Sequence, residues 1–123
     1  LNNSSCICTL KYRWINQNPF KSIFWAAQGM AAEFATGVLL MREIELSNKN
    51  ISMLLVDVEG KFTKKAIGKI SFKCDKGLMI KEKVSSLNSQ KTKSTMWIDS
   101  IGIDETGQEV SKFKFNWSIF LKK

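Results

Sequence analysis

One long apolar segment limits the folds that this chain can adopt. It runs from Asn18 to Met41, with the sequence NPFKSIFWAAQGMAAEFATGVLLM, and contains a single carboxylate, Glu33. We interpret the segment as a helix, and an ionised side chain is costly to bury in such apolar surroundings. Glu33 must therefore have a partner, take up a proton, or serve a chemical purpose as an acid or base with a shifted pKa.

A membrane span is the first alternative to a buried helix. The part from Ile23 to Met41 is about long enough to cross a bilayer. However, it contains Gln28, Glu33 and Thr36, and many of its other residues are small. It also follows a strand-like segment and lacks the cleavage pattern of a signal peptide. We therefore predict a buried helix, against which a sheet or a second helix can pack closely.

Length and composition predict one folded domain. The chain has 123 residues, of which 44% are hydrophobic and 24% charged, as in ordinary globular proteins. Its cysteines, Cys6, Cys8 and Cys74, are odd in number and lack metal-site spacing, which favours a reducing compartment and a cytoplasmic location. The absence of histidine excludes Ser-His-Asp and Cys-His catalysis and the commonest zinc ligand. We expect no metal and no cofactor.

The charge of the chain leaves two interpretations open. A net charge of +8 indicates either an anionic partner or simply a soluble basic surface. The lysines between Lys61 and Lys93 are scattered instead of lining one helix, and we find no arginine-rich arm or nucleic-acid motif. We therefore expect no nucleic-acid partner, whereas an acidic membrane surface and a phosphate-bearing small molecule stay open.

Alternation of apolar and polar residues predicts strands on both sides of the helix. The last two strands form a hairpin around Glu105-Thr106-Gly107. The second strand is apolar on both faces up to Asp57, which predicts that it is covered on two sides. Residues 78–93 form a polar connection, which we predict to be a loop, with a short helix as the alternative. The predicted strands cover residues 5–14, 51–58, 66–74, 95–104 and 108–121.

The segment around Glu33 resembles the central-helix region of hotdog-fold acyl-CoA thioesterases, particularly the phenylacetate-degradation type. In that pattern an asparagine precedes a histidine by six residues and an acidic residue by fifteen, and Asn18 precedes Glu33 by fifteen. The resemblance is greatest to an uncharacterised branch with an AQ-MAAE-ATG helix, which is found here from Ala27 to Gly37. It implies an α+β hotdog fold over residues 1–123, an antiparallel sheet wrapped around one long central helix.

The same resemblance implies an acyl-CoA thioesterase and assigns roles to particular residues. Glu33 would be the general base or nucleophile, and Asn18 would orient the substrate carbonyl or the water. Where the family has a histidine-glycine-glycine turn, this chain has Phe24-Trp25-Ala26, whose backbone N–H groups at the start of the helix are candidate oxyanion donors. The candidate substrate-binding residues are Phe20, Gln28, Lys64 and Lys65, the two lysines meeting the phosphates of coenzyme A.

The spacing of these residues predicts a site between two subunits. Trp25 and Glu33 are eight residues apart, or about 12 Å along a helix axis. One helix cannot present both to the same carbonyl, whereas two antiparallel copies can. A single helix also cannot cover five strands and hide its own far side, so we expect a homodimer or homotetramer.

A second interpretation has no catalysis. Glu33 is then a hydrogen-bonded structural residue, Asn18 a turn residue before Pro19, and the neighbouring aromatic residues part of the core. The protein is in that case an acyl-ligand-binding or structural hotdog dimer. The chain has no initiating methionine and no extra helix before its first strand, which suggests a trimmed or partial sequence.

Overall fold

All strands in the described part of the chain join one antiparallel sheet. The computed structural model describes residues 1–2, 4–11, 13, 22–23 and 25–122. Within them the sheet has the strand order β1-β3-β4-β5-β2, so β1 and β2 lie at opposite edges. The elements along the chain are β1 Cys6–Lys11, α1 Trp25–Ser47, β2 Ile51–Phe62, β3 Lys69–Cys74, α2 Gly77–Ser85, β4 Lys93–Ile103 and β5 Glu109–Leu121.

One face of the sheet packs against α1 and forms the core. Every second side chain of β5 from Phe113 to Ile119 is buried, as expected for a strand with one covered face. The helix contacts β1, β3, β4 and β5. This bears out the predicted close packing of the helix on a sheet. The small residues that α1 buries are Ala27, Ala31, Ala32, Ala35 and Gly37.

Helix α1 is longer at its C-terminal end than the predicted Ile23–Met41. It continues to Ser47, and Asn48 then adopts a φ of 57°, a left-handed conformation that asparagine accepts at helix ends. The additional turns contain charged residues such as Arg42 and Glu45. The predicted helix ends at the last residue of the apolar segment and therefore misses these turns. Arginine and glutamate nevertheless favour helices.

A second helix replaces the loop that we predicted at residues 78–93. Helix α2 spans Gly77–Ser85 and packs against α1. It buries Ile80 and Val84, which are four residues apart, and Leu87 follows three residues later, also buried. This is helical spacing, which the polar residues between them concealed.

A single chain does not cover the second strand on two sides. Strand β2 extends from Ile51 to Phe62, and none of its residues is buried. It pairs with β5 alone, and the pairing is irregular at Val56, which has no partner between Leu55↔Trp117 and Asp57↔Asn116. The apolar residues of β2 therefore form a surface that a single chain does not cover.

The predicted hairpin is confirmed. Strands β4 and β5 pair from Lys93↔Phe120 to Ile103↔Glu109. Between them, the Asp104 carboxylate accepts hydrogen bonds from the backbone N–H groups of Thr106 and Gln108 at 2.9 and 3.1 Å. Gly107 has a φ of 85°, which glycine adopts without steric cost.

The two remaining strands are shorter than predicted. Strand β1 ends at Lys11, and Tyr12 and Trp14 of the predicted strand lie outside the described residues. Strand β3 begins at Lys69 instead of residue 66. Gly68 has a φ of 80° and changes the chain direction immediately before it.

Candidate active site

An apolar groove lies between α1 and the strand pair β5–β2, and we call it the open groove. It comprises two cavities of about 290 and 210 Å³. The larger one is lined by Met30, Phe34 and Met41 of α1 together with Met53 of β2 and Trp117 of β5. Apolar walls with few polar groups are typical of sites that bind hydrophobic ligands.

Glu33 lines both cavities of the open groove. Its side chain is half-buried, in contrast to the burial that the apolar sequence predicted. Its carboxylate forms no hydrogen bond or ion pair with the described residues. The first of the three explanations for Glu33, a partner within the described residues, therefore does not apply. The side chain instead lines the open groove.

The helix turn that follows Glu33 is tied to the sheet. The Thr36 hydroxyl donates a hydrogen bond to the backbone carbonyl of Glu33 at 2.9 Å, and Trp117 Nε1 donates to the same hydroxyl at 3.0 Å. At Gly37 a Cβ would lie 3.5 Å from Trp117 Cζ2, so the indole ring packs directly against the helix backbone. This arrangement holds Glu33 on a rigid part of α1.

The start of α1 lies at the other end of the smaller cavity. Trp25 and Ala26 are its first two residues, both exposed, and both line the cavity with Glu33. Their N–H groups belong to the first turn, where a helix supplies no acceptor. The structure thus brings three predicted residues to one groove, although eight residues still separate Trp25 from Glu33. Phe24 lies outside the described residues, as do Asn18 and Phe20.

Gln28 has a different position from the predicted one. Its side chain is buried, and Nε2 donates a hydrogen bond to the backbone carbonyl of Ile23 at 2.9 Å. Oε1 is buried without a hydrogen-bond partner among the described residues. Gln28 is not among the residues that line the open groove.

The two predicted lysines lie beyond the end of β2. Lys64 Nζ is 2.6 Å from Asp104 Oδ2 and 2.7 Å from Gln108 Oε1, so it is held by the β4–β5 turn. Its hydrogen bond, followed by one from Thr106, holds the pKa of Asp104 well below the ordinary value of 3.8. Lys65 is exposed. Neither lysine lines the open groove.

Other kinds of site find little support in the described residues. No three His, Cys, Asp or Glu side chains come together there as a metal site. Burial raises the pKa of the Cys74 thiol to about 11 and, with a contribution from Cys6, also raises the pKa of Cys8. Such thiols are poor nucleophiles. Neither α1 nor α2 is long and apolar enough to span a bilayer.

Sequence reasoning missed the exposed side of α1. Met30, Phe34 and Met41 are 68%, 60% and 60% exposed, yet they stand among residues that the fold buries. A helix that is apolar on every side predicts burial all round, so no periodicity marked these residues.

The fold is shared with several solved structures. A probable thioesterase of unknown function from Pseudomonas aeruginosa superposes with a TM-score of 0.82 at 15% identity, over 99% of this chain and 80% of that chain. A 1,4-dihydroxy-2-naphthoyl-CoA thioesterase from Synechocystis gives 0.63 at 10% identity, over 97% and 84%.

A thioesterase from Staphylococcus aureus was solved with a glutamine replaced by alanine, and it gives a TM-score of 0.73 at 11% identity, over 98% of this chain and 88% of that chain. A second structure of that protein has a glutamate replaced by alanine, fifteen positions further along. These similarities confirm the resemblance at the level of the fold, a five-stranded antiparallel sheet with two helices.

The sequence comparisons identify a family without assigning it a function. No curated protein matches the sequence. A family model of a domain of unknown function, DUF4442, matches residues 1–119. Because this match covers nearly the whole chain, the protein belongs to the DUF4442 family.

Proposed function

We propose that this protein hydrolyses an acyl thioester, such as an acyl-CoA, at a site formed between two copies of the chain. The observation that carries the proposal is the position of Glu33, a partly buried carboxylate that lines two neighbouring apolar cavities. A carboxylate there can reach water and a bound acyl group at once. The thioesterases among the solved structures of the same fold support the reaction class.

The open groove suits the acyl part of such a substrate. Met30, Met41 and Met53 line it, and methionine side chains adapt to apolar ligands of different shapes. Trp117 provides a flat wall on the sheet side. The carbonyl of the bound thioester would then lie near Glu33, which lines both cavities.

A second copy would complete the site. Strand β2 is an edge strand with exposed apolar residues such as Val58 and Phe62 on the side of α1, and the open groove lies beside it. Pairing across this edge would cover both and place the helix start of one copy, at Trp25 and Ala26, near Glu33 of the other. In the resulting homodimer the two sheets would wrap around the two long helices.

Asn18 is proposed as the positioning residue for the carbonyl or the water. It precedes Glu33 by fifteen residues. The glutamine and the glutamate replaced in the Staphylococcus aureus structures have the same separation. Both side chains end in an amide, so a glutamine and an asparagine can make the same hydrogen bonds.

The chemistry requires a base and an oxyanion site. Glu33 would take a proton from a water molecule as the water oxygen attacks the carbonyl carbon. Backbone N–H groups at Phe24, Trp25 and Ala26 would donate hydrogen bonds to the resulting oxyanion, helped by the positive end of the helix dipole. The C–S bond then breaks, and the thiolate takes up the proton from Glu33. As a nucleophile, Glu33 would instead form an anhydride that water hydrolyses.

Thiol release from a panel of short to long acyl-CoAs tests the proposal, comparing the native protein with Glu33→Gln. We expect the variant to lose roughly 100-fold or more of the activity, the range usual for a general base. Glu45→Gln is the matched control, because Glu45 is exposed on the same helix outside the groove.

Two results would contradict this function. Equal rates of hydrolysis by the native protein and Glu33→Gln would show that Glu33 is not the catalytic base or nucleophile. No hydrolysis of any acyl-CoA by an intact dimer would favour the non-catalytic alternative, an acyl-ligand-binding or structural dimer. The three free cysteines support assaying under reducing conditions, as in the cytoplasm.

A further inference from the structure

The sheet face turned away from α1, here called the outer face, concentrates positive charge. Side chains on a strand alternate between faces, and directly paired residues share a face. The strand pairings therefore place seven lysines there against four carboxylates. These residues are Lys11, Lys61, Lys69, Lys73, Lys93, Lys112 and Lys114, with Asp57, Glu59, Asp99 and Glu109.

One row of paired residues crosses all five strands of this face. It runs through Ile7, Lys73, Ile101, Lys112 and Lys61, in that order from β1 to β2. Its three lysines lie far apart in the sequence, so sheet pairing converts scattered charges into one surface.

Some of these lysines face each other directly. Lys61 of β2 pairs with Lys112 of β5. Like charges in directly opposed positions destabilise a sheet. Asp99 lies 3.7 Å from Lys112 and compensates part of this repulsion, but the outer face keeps a positive excess that an anionic partner would relieve.

The outer face also exposes large apolar side chains. Leu54 is 68% exposed, Ile7 55%, Phe120 45% and Trp97 42%. Contact with a partner would remove this apolar surface from water. The partner must therefore accept both lysines and apolar side chains over a broad area.

We propose that the outer face binds an anionic lipid surface, with the protein lying on the membrane as a peripheral protein. Lysines near a membrane are attracted by anionic headgroups, and tryptophan and aliphatic side chains settle at the headgroup level. A second copy does not fit this face, because it would oppose lysines to lysines.

A nucleic acid fits the outer face less well than lipid does. Every cation in the set is a lysine, whereas arginine provides the stacking and bidentate contacts that nucleic-acid sites favour. Two of the exposed apolar residues, Ile7 and Leu54, are aliphatic and cannot stack on bases as aromatic rings do.

Vesicle co-sedimentation tests the proposal on the full chain, with vesicles of phosphatidylcholine alone or mixed with phosphatidylserine. The triple variant Lys61→Gln, Lys73→Gln and Lys112→Gln removes the charge of the row. We expect it to lower binding to the anionic vesicles by on the order of 100-fold, given the attraction of each lysine to an anionic surface.

The matched control removes the same charge elsewhere, by Lys76→Gln, Lys81→Gln and Lys83→Gln around α2. It should retain nearly all vesicle binding, and high salt should weaken binding of the native protein. Circular dichroism verifies that both variants are folded.

Several outcomes would overturn the proposal. Absence of binding to anionic vesicles would do so, as would an equal loss in both triple variants, which would assign the effect to net charge. Row-dependent binding to a single-stranded oligonucleotide or to polyglutamate, with none to vesicles, would assign the outer face to a nucleic acid or to an acidic protein.

Discussion

The two edges of the sheet differ in what covers them. At the covered edge, formed by β1 and β3, Cys6 and Cys74 are paired across the strands and both are buried. At the open edge, formed by β2, all twelve residues from Ile51 to Phe62 are at least partly exposed. Both edges belong to one sheet, and the difference arises because α1 packs on β1, β3, β4 and β5.

This difference separates stability from the candidate function. At the covered edge the inward-facing residues of β3 are buried and those of β1 are buried or partly buried, so they contribute to the core. The open edge leaves apolar residues and Glu33 accessible beside the same helix. Apolar surface that a monomer leaves open is available to a substrate or a second copy.

The largest expected effect compares core residues near the two edges. Ile70 of β3 is fully buried, so Ile70→Ala should lower the free energy of unfolding by about 2–5 kcal/mol. Met53 of β2 is only partly buried, so Met53→Ala should lower the free energy of unfolding by less than about 1 kcal/mol. Urea unfolding of both variants measures the difference, and equal losses would show that the two edges are equally well packed.

A charge in the open groove should come next in size. Phe34→Lys puts an ammonium group among apolar residues that the proposed dimer buries, and should weaken self-association at least about tenfold, as an unpaired charge at an interface does. Sedimentation velocity measures the mass over a concentration series.

Leu46→Lys is its control. Leu46 is 64% exposed on the same helix, close to the 60% of Phe34, but it lies outside the open groove. The control should associate like the native protein. If Phe34→Lys self-associates as strongly as the native protein, the open groove is not part of a dimer interface.

The smallest effect concerns the tie between the end of β2 and the β4–β5 turn. The pKa of Asp104 is held below its ordinary 3.8, mainly by Lys64, so the ionised carboxylate stabilises the folded state. This contribution is complete above about pH 5 and is lost as the pH falls through 3.8 toward the folded-state pKa. Asp104→Asn should therefore lower Tm at pH 7, and the gap from the native protein should shrink in acid.

We expect this Tm difference to be smaller than that caused by Met53→Ala. Lys64 is 42% exposed, and solvent screens exposed ion pairs. A gap that stays constant down to pH 3 would show that the turn depends on the hydrogen-bonding geometry of Asp104 and not on its charge.

Regular local patterns made much of the fold predictable. The alternation in Phe113, Phe115 and Trp117 identified a strand with one buried face, and Gly107 marked the hairpin turn. The same kind of reasoning failed for α2, where polar residues concealed the spacing of Ile80 and Val84. The strand pattern and the helix pattern each extend over a few neighbouring residues. Each can be recognised only where polar residues do not obscure the spacing of the apolar ones.

The candidate site was predictable only in part. Glu33 stood out as the one carboxylate in an apolar segment, and the structure places it in the open groove with Trp25 and Ala26. Gln28 has the same kind of position in the sequence, yet its side chain is buried and bonds to Ile23. Which side of a uniformly apolar helix faces the sheet cannot be read from its composition.

By itself, the sequence determined the long apolar helix, the hairpin with its alternating second strand, and the residue types available for chemistry. It also excluded histidine-dependent catalysis. Tertiary structure alone decided that β2 is an edge strand, that Glu33 lies beside it, and that scattered lysines share the outer face. The reason is physical: these features arise from pairing between strands far apart in the chain, and hydrophobic patterns record whether a residue tends to be buried but not which partner covers it.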